Sequence, residues 1–515
     1  MRLLALVIYA IALLLSAIYG GFIAGIVLRE PDICFLLAMG RWMALHGQIP
    51  LIDPFSYTYL AYPNGNSYVV YQWLYELILY GIQNLVGATG LLVFSAIILA
   101  ITSFVIPLRF FAFGGGNLAL GAIISMLALV ASVSHPSVRP EMFSFLFTAI
   151  LLEQLARLAR RNDLAKIDWP FVTSCLILML LWTNLHCMFI LYLLLVGFFI
   201  VCLAGYSLYV REKIDARVKT ALVALVAGAL ATAVNPYFLA LWPFTFRMLT
   251  DPINKTINEL KPFSLAVFNN VLDYPWLLLA SLAIVVFLVS LRKKISSGSQ
   301  LYFLLLIPVA VSMALLAVRT FPLAALLMCC GIANSPLLKI TSGWLERLGK
   351  NIDQVIAPRT IWCLTAISIF AGAGAYLISS YVLPPTIPLA SAFFQPPFAA
   401  VKFLKENKSR KLSGNLLNDA HYGAVMMWQL EDSPKVFVDP RYFLYNVPLM
   451  NDYWDMVLYR NQPEALLEKY KISWVFMPAS TALVKQLRTQ PDWTVLYSDK
   501  DAAILARDKY SKPTQ

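Results

Sequence analysis

The chain has 515 residues, 60% of them apolar and only 13% charged, where a soluble domain normally carries about a quarter charged residues; with a mean hydropathy of +0.70, this excludes a purely soluble protein. The net charge of +12 does not point to nucleic acid, because 24 of the 40 Lys and Arg lie in residues 1–382 and the other 16 face 13 acidic residues in the tail without forming a basic stripe. All seven Cys (34, 175, 187, 202, 329, 330 and 363) precede the tail, which therefore has no disulfide framework, and no paired Cys/His spacing suggests zinc.

Apolar runs of spanning length, roughly 17–25 residues with almost no charge, recur from residue 3 to residue 382 and then stop. The pattern predicts spans near 3–28, 89–108, 117–134, 139–156, 170–187, 188–208, 218–234, 274–291, 301–318, 321–335 and 360–382. The first is too long for the apolar core of a signal peptide and reads as a retained helix. With a cytoplasmic N-terminus, 17 basic residues fall inside and seven outside, the orientation that the positive-inside rule demands. The same count makes residues 68–86 a non-spanning, interfacial helix, whose Tyr68, Tyr71, Trp73, Tyr75 and Tyr80 suit the headgroup layer.

Three outer segments are then long or polar enough to carry function: residues 29–85, the tight loop 135–141, and the loop 235–274. Asp32 stands where the first span leaves the bilayer, as a helix cap or as a base poised over a lipid-borne donor. Helical spacing puts Trp73, Glu76 and Tyr80 on one face, where two rings flanking a carboxylate suit a sugar as well as an aromatic belt. Ser134-His135-Pro136-Ser137-Val138-Arg139-Pro140-Glu141 packs an imidazole, a guanidinium and a carboxylate between two spans, which is costly unless they pair or serve a site. Arginine forks match phosphate, so Arg139, with Arg319 and His186 at the same face, forms a candidate phosphate-binding set; Asn184 ends the fifth span beside His186. The histidines are too scattered to suggest a metal cluster, whereas outer carboxylates leave a divalent ion such as Mg or Mn open. No Walker loop, GxGxxG, GxSxG or HExxH occurs, which argues against an ATP-driven pump, a dinucleotide enzyme, a lipase or a zinc protease.

Pro384, Pro385, Pro388, Pro396 and Pro397 mark a linker. Beyond it, apolar runs at 435–439, 473–477, 493–498 and 502–506 alternate with helical stretches at 399–408, 420–430, 448–458 and 481–488, the pattern of a small α/β domain. Val438-Asp439-Pro440-Arg441 reads as a turn after a strand, or as the lining of a pocket. The expected fold is a polytopic α-helical membrane region over 1–382, a linker over 383–398, and an extracytoplasmic α/β domain over 399–515.

Several of these stretches resemble the GT-C superfamily of integral membrane glycosyltransferases, in particular a bacterial branch akin to dolichyl-phosphate-mannose-protein mannosyltransferases. They are Pro31-Asp32, Gly47-Gln48-Ile49-Pro50, Asp53-Pro54-Phe55-Ser56-Tyr57, Gln72-Trp73-Leu74-Tyr75-Glu76, Arg139-Pro140-Glu141-Met142-Phe143-Ser144, Leu181-Trp182-Thr183-Asn184-Leu185-His186, Asn235-Pro236-Tyr237 and Phe437-Val438-Asp439-Pro440-Arg441. The resemblance implies a GT-C-like fold with two interfacial helices in the first outer loop, a polyprenyl-phosphate sugar donor, and location in a bacterial inner membrane. It also implies that Asp32 is the catalytic base and that Glu141 stands at a second acidic position, sometimes used with metal. On this reading Asp32, Glu76 and Glu141 are the catalytic set, Arg139, His186 and Arg319 hold the donor phosphate, and Trp73, Tyr80, His135 and Asn184 contact substrate; the partners are the lipid-phosphate donor and a glycan, lipid or protein acceptor. The rival readings are an oligosaccharide polymerase or ligase working on a lipid diphosphate, and a transporter or non-catalytic scaffold.

Overall fold

The computed structural model describes residues 32–62, 68–114, 118–132, 138–161, 164, 166–214, 216–252, 254, 260, 262–263, 274–335, 396–407, 412–430 and 433–507. The expected spans at 3–28 and 360–382, the linker up to residue 395, and His135 lie outside the described residues. The chain forms two compact units, one of Met1–Leu28, Val86–Thr245 and Ile257–Pro385, the other of Arg29–Leu85, Phe246–Thr256 and Thr386–Gln515.

The second unit opens with α1 (Asp32–His46), the short α2 (Tyr57–Ala61) and α3 (Trp73–Val86). The 14 residues of α3 rise about 21 Å, less than a hydrocarbon core of about 30 Å.

The first unit is helical throughout its described part. It contains α4 (Ala88–Ala100), a π turn (Ile101–Val105), α5 (Ile106–Gly114), α6 (Leu118–Ala131), α7 (Glu141–Ala159), α8 (Trp169–Leu185), α9 (Ile190–Tyr209) and α10 (Ala216–Ala231). After α11 (Leu241–Thr250), whose residues from Phe246 on count with the second unit, come α12 (Tyr274–Leu291), α13 (Gly298–Leu316) and α14 (Phe321–Ala333). Each of the nine spans expected between 89 and 335 coincides with helix. Among the described residues, five stretches are long and apolar enough to cross a membrane: Val93–Phe111, Glu141–Ala159, Cys187–Tyr209, Tyr274–Leu291 and Gly298–Leu316. Leu120–Ala131, Trp169–Leu185 and Val318–Ala333 are shorter apolar helices.

Local chemistry sets the helix ends. Asp168 accepts from the Phe171 amide with Pro170 in the first turn of α8, and Ser297 accepts from the Gln300 amide at the start of α13. Every residue of α14 is buried. It can sit so deep because Gly331 lets its backbone meet α13: a Cβ there would lie 2.8 Å from the Phe303 carbonyl oxygen. The far end of α7 carries the charges, with Glu153 paired to Arg109 at 2.6 Å and to Arg157 at 2.5 Å. Where a loop was expected over 235–274, α11 is an added helix, with Leu241, Phe244 and Thr245 buried on one stripe.

The C-terminal part of the second unit holds a four-stranded sheet of order β1-β2-β4-β3, from β1 (Asn415–Asn418), β2 (Ile472–Pro478), β3 (Trp493–Ser498) and β4 (Ala502–Arg507). β1 runs parallel to β2, while β4 is antiparallel to both β2 and β3. Residues 472–477 of β2 are all buried, as a central strand covered on both faces requires. Around the sheet lie α15 (Phe398–Glu406), α16 (Ala420–Gln429), α17 (Val447–Val457), α18 (Pro463–Lys469) and α19 (Ala482–Leu487).

The run 435–439 is not a strand of this sheet. Its Val436 bridges Ser56 of the first loop instead: the Val436 amide donates to the Phe55 carbonyl at 2.9 Å, and the Tyr57 amide to the Val436 carbonyl at 3.2 Å. The place at the sheet edge goes to β1, a four-residue Asn-Leu-Leu-Asn segment too short to show alternation.

Candidate active site

In the first unit the polar groups gather where helices begin and end. Pro140 precedes α7, so Glu141 is its first residue, placed where the helix dipole favours a carboxylate. Arg319 lies in the single 3-10 turn (Val318–Thr320) before α14. Its Nε donates to Glu141 Oε2 at 2.8 Å and its Nη2 donates to the same oxygen, a two-armed, charge-assisted contact. Arg139 and His186 also lie within electrostatic reach of the buried Glu141 carboxylate. Two guanidiniums and an imidazole thus stand around one carboxylate, donors of the kind that a phosphate takes.

His186 ends α8 in an extended conformation, its amide donating to the Trp182 carbonyl at 2.9 Å. Its Nδ1 lies 2.7 Å from the Ser144 hydroxyl, which accepts the Trp182 indole N–H at 2.8 Å. Asn184 donates to the backbone carbonyls of Leu180 at 2.9 Å and Val234 at 2.8 Å, tying the end of α8 to the end of α10.

The second unit holds the other acidic residues. Asp32, the first residue of α1, is half-buried and within electrostatic reach of Tyr442. Glu76 is buried: Gln72 donates to its Oε1 at 2.9 Å, and its Oε2 has no hydrogen-bond partner among the described residues. A small cavity lined by Glu76, Gln72, Met39, Tyr68 and Arg441 adjoins it. Burial pushes the Glu76 carboxyl up to about 7, against the opposing pull of Gln72 and Arg441. The three positions that helical spacing puts on one face therefore have different surroundings. Glu76 is turned inward, while Trp73 and Tyr80 are half-buried, with Tyr80 edge-on to Trp428 at 6.3 Å.

Asp439 and Arg441, in sequence a turn or a pocket lining, join Asp53, which carries no local signal, as the buried centre of the second unit. Arg441 donates through Nη1 to Asp53 Oδ1 and through Nη2 to Asp439 Oδ2, both at 2.7 Å, and through Nε to Asp439 Oδ1 at 2.9 Å. Tyr68 donates to Asp53 at 3.1 Å, Tyr445 donates to Asp439 at 2.9 Å, and the Ser56 amide donates to Asp53 at 2.7 Å. Burial and the neighbouring Asp439 raise Asp53, and Arg441 opposes them. Removing one partner of such a pair costs about 3–5 kcal/mol. Arg41 was likewise not singled out: it donates to the carbonyls of Trp428 at 2.9 Å and Met427 at 2.8 Å, capping α16, with its guanidinium 5.0 Å from the Trp428 ring centre. A pairing across nearly 390 residues leaves no local signal in the sequence.

Among the described residues no group of three His, Cys, Asp or Glu gathers in a way that could hold a metal ion. Glu141 already faces Arg319, Arg139 and His186, a poor setting for a cation.

No family model matches the chain, and no curated protein matches it. Solved structures do. The chain is similar to the oligosaccharyltransferase of Archaeoglobus fulgidus in its apo form, with TM-score 0.58 and 15% identity over 92% of this chain and 69% of that one. It is similar to the same organism's AglB in complex with an inhibitory peptide and a dolichol-phosphate, with TM-score 0.59 and 13% identity over 99% of this chain and 75% of that one. A third structure, tethered to an acceptor peptide containing the NVT sequon, gives TM-score 0.55 and 12% identity over 92% and 69%. At such identities the likeness is one of fold. The chain has an AglB-like fold: apolar helices with a small C-terminal sheet.

Proposed function

We propose that this chain is a membrane glycosyltransferase that moves a sugar from a polyprenyl-phosphate donor to an acceptor at the outer face of the membrane. The observation that carries the reading is the set of Arg139, Arg319 and His186 around one buried carboxylate, at helix ends of a GT-C fold. The acceptor oxygen bonds to the anomeric carbon as the bond from that carbon to the phosphate oxygen breaks. The acceptor proton goes to Asp32, and the electron pair leaves with the lipid phosphate. Arg139 and Arg319 neutralise the charge that grows on that phosphate and the His186 ring donates a hydrogen bond to it, where fixed donors lower the barrier most. Glu141 holds Arg319 with one carboxylate oxygen, so the guanidinium is aligned before the donor arrives.

A second reading, transfer of a whole oligosaccharide from a lipid-linked donor, is favoured by the oligosaccharyltransferase structures that share the fold. One experiment separates the two: purified protein in lipid is offered polyprenyl-phosphate monosaccharides and lipid-diphosphate oligosaccharides, with and without Mg or Mn. Turnover of a monosaccharide donor, reduced at least about 100-fold by Arg319→Ala and by Asp32→Asn, is the expected result. Turnover of the diphosphate donors alone would move the assignment to the second reading, and turnover of neither would remove both.

A further inference from the structure

We infer that Ser144 and Trp182 are positioning residues that hold His186 as the tautomer with its proton on Nε2; only the use made of that proton rests on the function proposed above. Ser144 lies one turn beyond Glu141 on α7, and Trp182 lies one turn before His186 on α8. The Ser144 hydroxyl is 2.7 Å from His186 Nδ1, and the Trp182 indole N–H donates to that hydroxyl oxygen at 2.8 Å. All three side chains are buried, Ser144 and Trp182 completely.

The direction of these bonds follows from what each group can do. An indole N–H only donates, so Trp182 takes one lone pair of the Ser144 oxygen. Among the described residues the one acceptor in reach of the hydroxyl proton is His186 Nδ1. With the proton on Nδ1, the Ser144 oxygen would accept twice and its own hydrogen would be buried without an acceptor, which disfavours that form by about tenfold or more. Nδ1 is therefore the acceptor, and Nε2 carries the hydrogen. Trp182 fixes the histidine twice, since its carbonyl accepts the His186 amide at 2.9 Å while its indole orients the serine. The ring so held gives the leaving phosphate a donor of fixed direction without adding a third full positive charge beside Arg139 and Arg319.

The test is 15N spectroscopy of full-length protein labelled at histidine, in lipid, with the His186 signals assigned by their loss in His186→Gln. The wild type is expected to show an unprotonated Nδ1 and a protonated Nε2 near neutral pH. Ser144→Ala should mix the two tautomers, and Ser144→Thr, which keeps the hydroxyl, should restore the wild-type pattern. A protonated Nδ1 in the wild type, or spectra unmoved by Ser144→Ala, would overturn the inference. With the accepted donor, Ser144→Ala should lower kcat about tenfold with KM nearly unchanged and Ser144→Thr recovering most of it; an unchanged kcat in Ser144→Ala would overturn the positioning role. If no donor turns over, the proposed function fails while the spectra still decide the tautomer.

Discussion

Glu76 shows how a single residue is legible from sequence in place but not in state. Its spacing with Trp73 and Tyr80 marks it as unusual, yet what governs it is burial beside Gln72 and Arg441, and Arg441 is remote in sequence. The folded carboxyl is raised from 4.5 to about 7, so the protonated form suits the cavity and the ionised form does not. For a raised carboxyl the stabilising contribution is complete below the unfolded value and is lost as pH climbs through the folded one. Here the window runs from about 4.5 to about 7, and the cost of ionisation at higher pH is at most about 3 kcal/mol. Glu76→Gln, which keeps the shape and removes the titration, should match the wild type in thermal unfolding below about pH 4 and exceed it at about pH 8. A variant less stable than the wild type at the higher pH would mean that the fold uses the ionised carboxylate. Asp53, Asp439 and Arg441 lie at the other extreme: their types are visible in sequence, but their buried ion pairs depend on a chain path that no local pattern encodes.

At the scale of elements, the long apolar runs between 89 and 335 and the short runs 473–477, 493–498 and 502–506 form the helices and strands expected of them, whereas 435–439 does not, for a physical reason. A membrane helix satisfies its own backbone within the segment, so α7, α9, α12 and α13 announce themselves by composition alone. A strand must find a partner, and the partner chosen by residues 435–439 is the first loop, through Val436 and Ser56, while β1 takes the sheet edge. The meeting of α1 and α3 depends on one small residue: a Cβ on Gly40 would lie 2.2 Å from the Glu76 carbonyl oxygen and 2.8 Å from Tyr80 Cβ. The nearest obstacle is backbone, which cannot swing aside, so Gly40→Ala should cost about 1–3 kcal/mol by forcing the helices apart. Gly81, on α3, has no atom within 4 Å of where its Cβ would go, and Gly81→Ala should instead stabilise by about 0.5–1 kcal/mol through helix propensity. Unfolding midpoints of the two variants measured side by side check the argument. Equal destabilisation would show that glycine is needed in both helices for a reason other than packing.

For the whole molecule, the open question that the sequence addresses most directly is sidedness. The apolar helices make the chain an integral membrane protein, and the asymmetry of 17 basic residues on one side against seven on the other comes from the same sequence. That asymmetry predicts that residues 292–294, between α12 and α13, face the cytoplasm and that the C-terminal sheet faces outward. The seven native cysteines are few enough to be replaced first, after which Lys293→Cys and Lys500→Cys report on the two sides, since both positions are exposed. A membrane-impermeant thiol reagent applied to intact bacterial cells with an accessible inner membrane should label position 500 at once and position 293 only after permeabilisation. The reverse pattern would invert the topology and put Arg139, Glu141, His186 and Arg319 at the cytoplasmic face. There a lipid-phosphate donor would have no advantage over a soluble nucleotide sugar, so the sidedness measurement bears on the chemistry as directly as on the architecture.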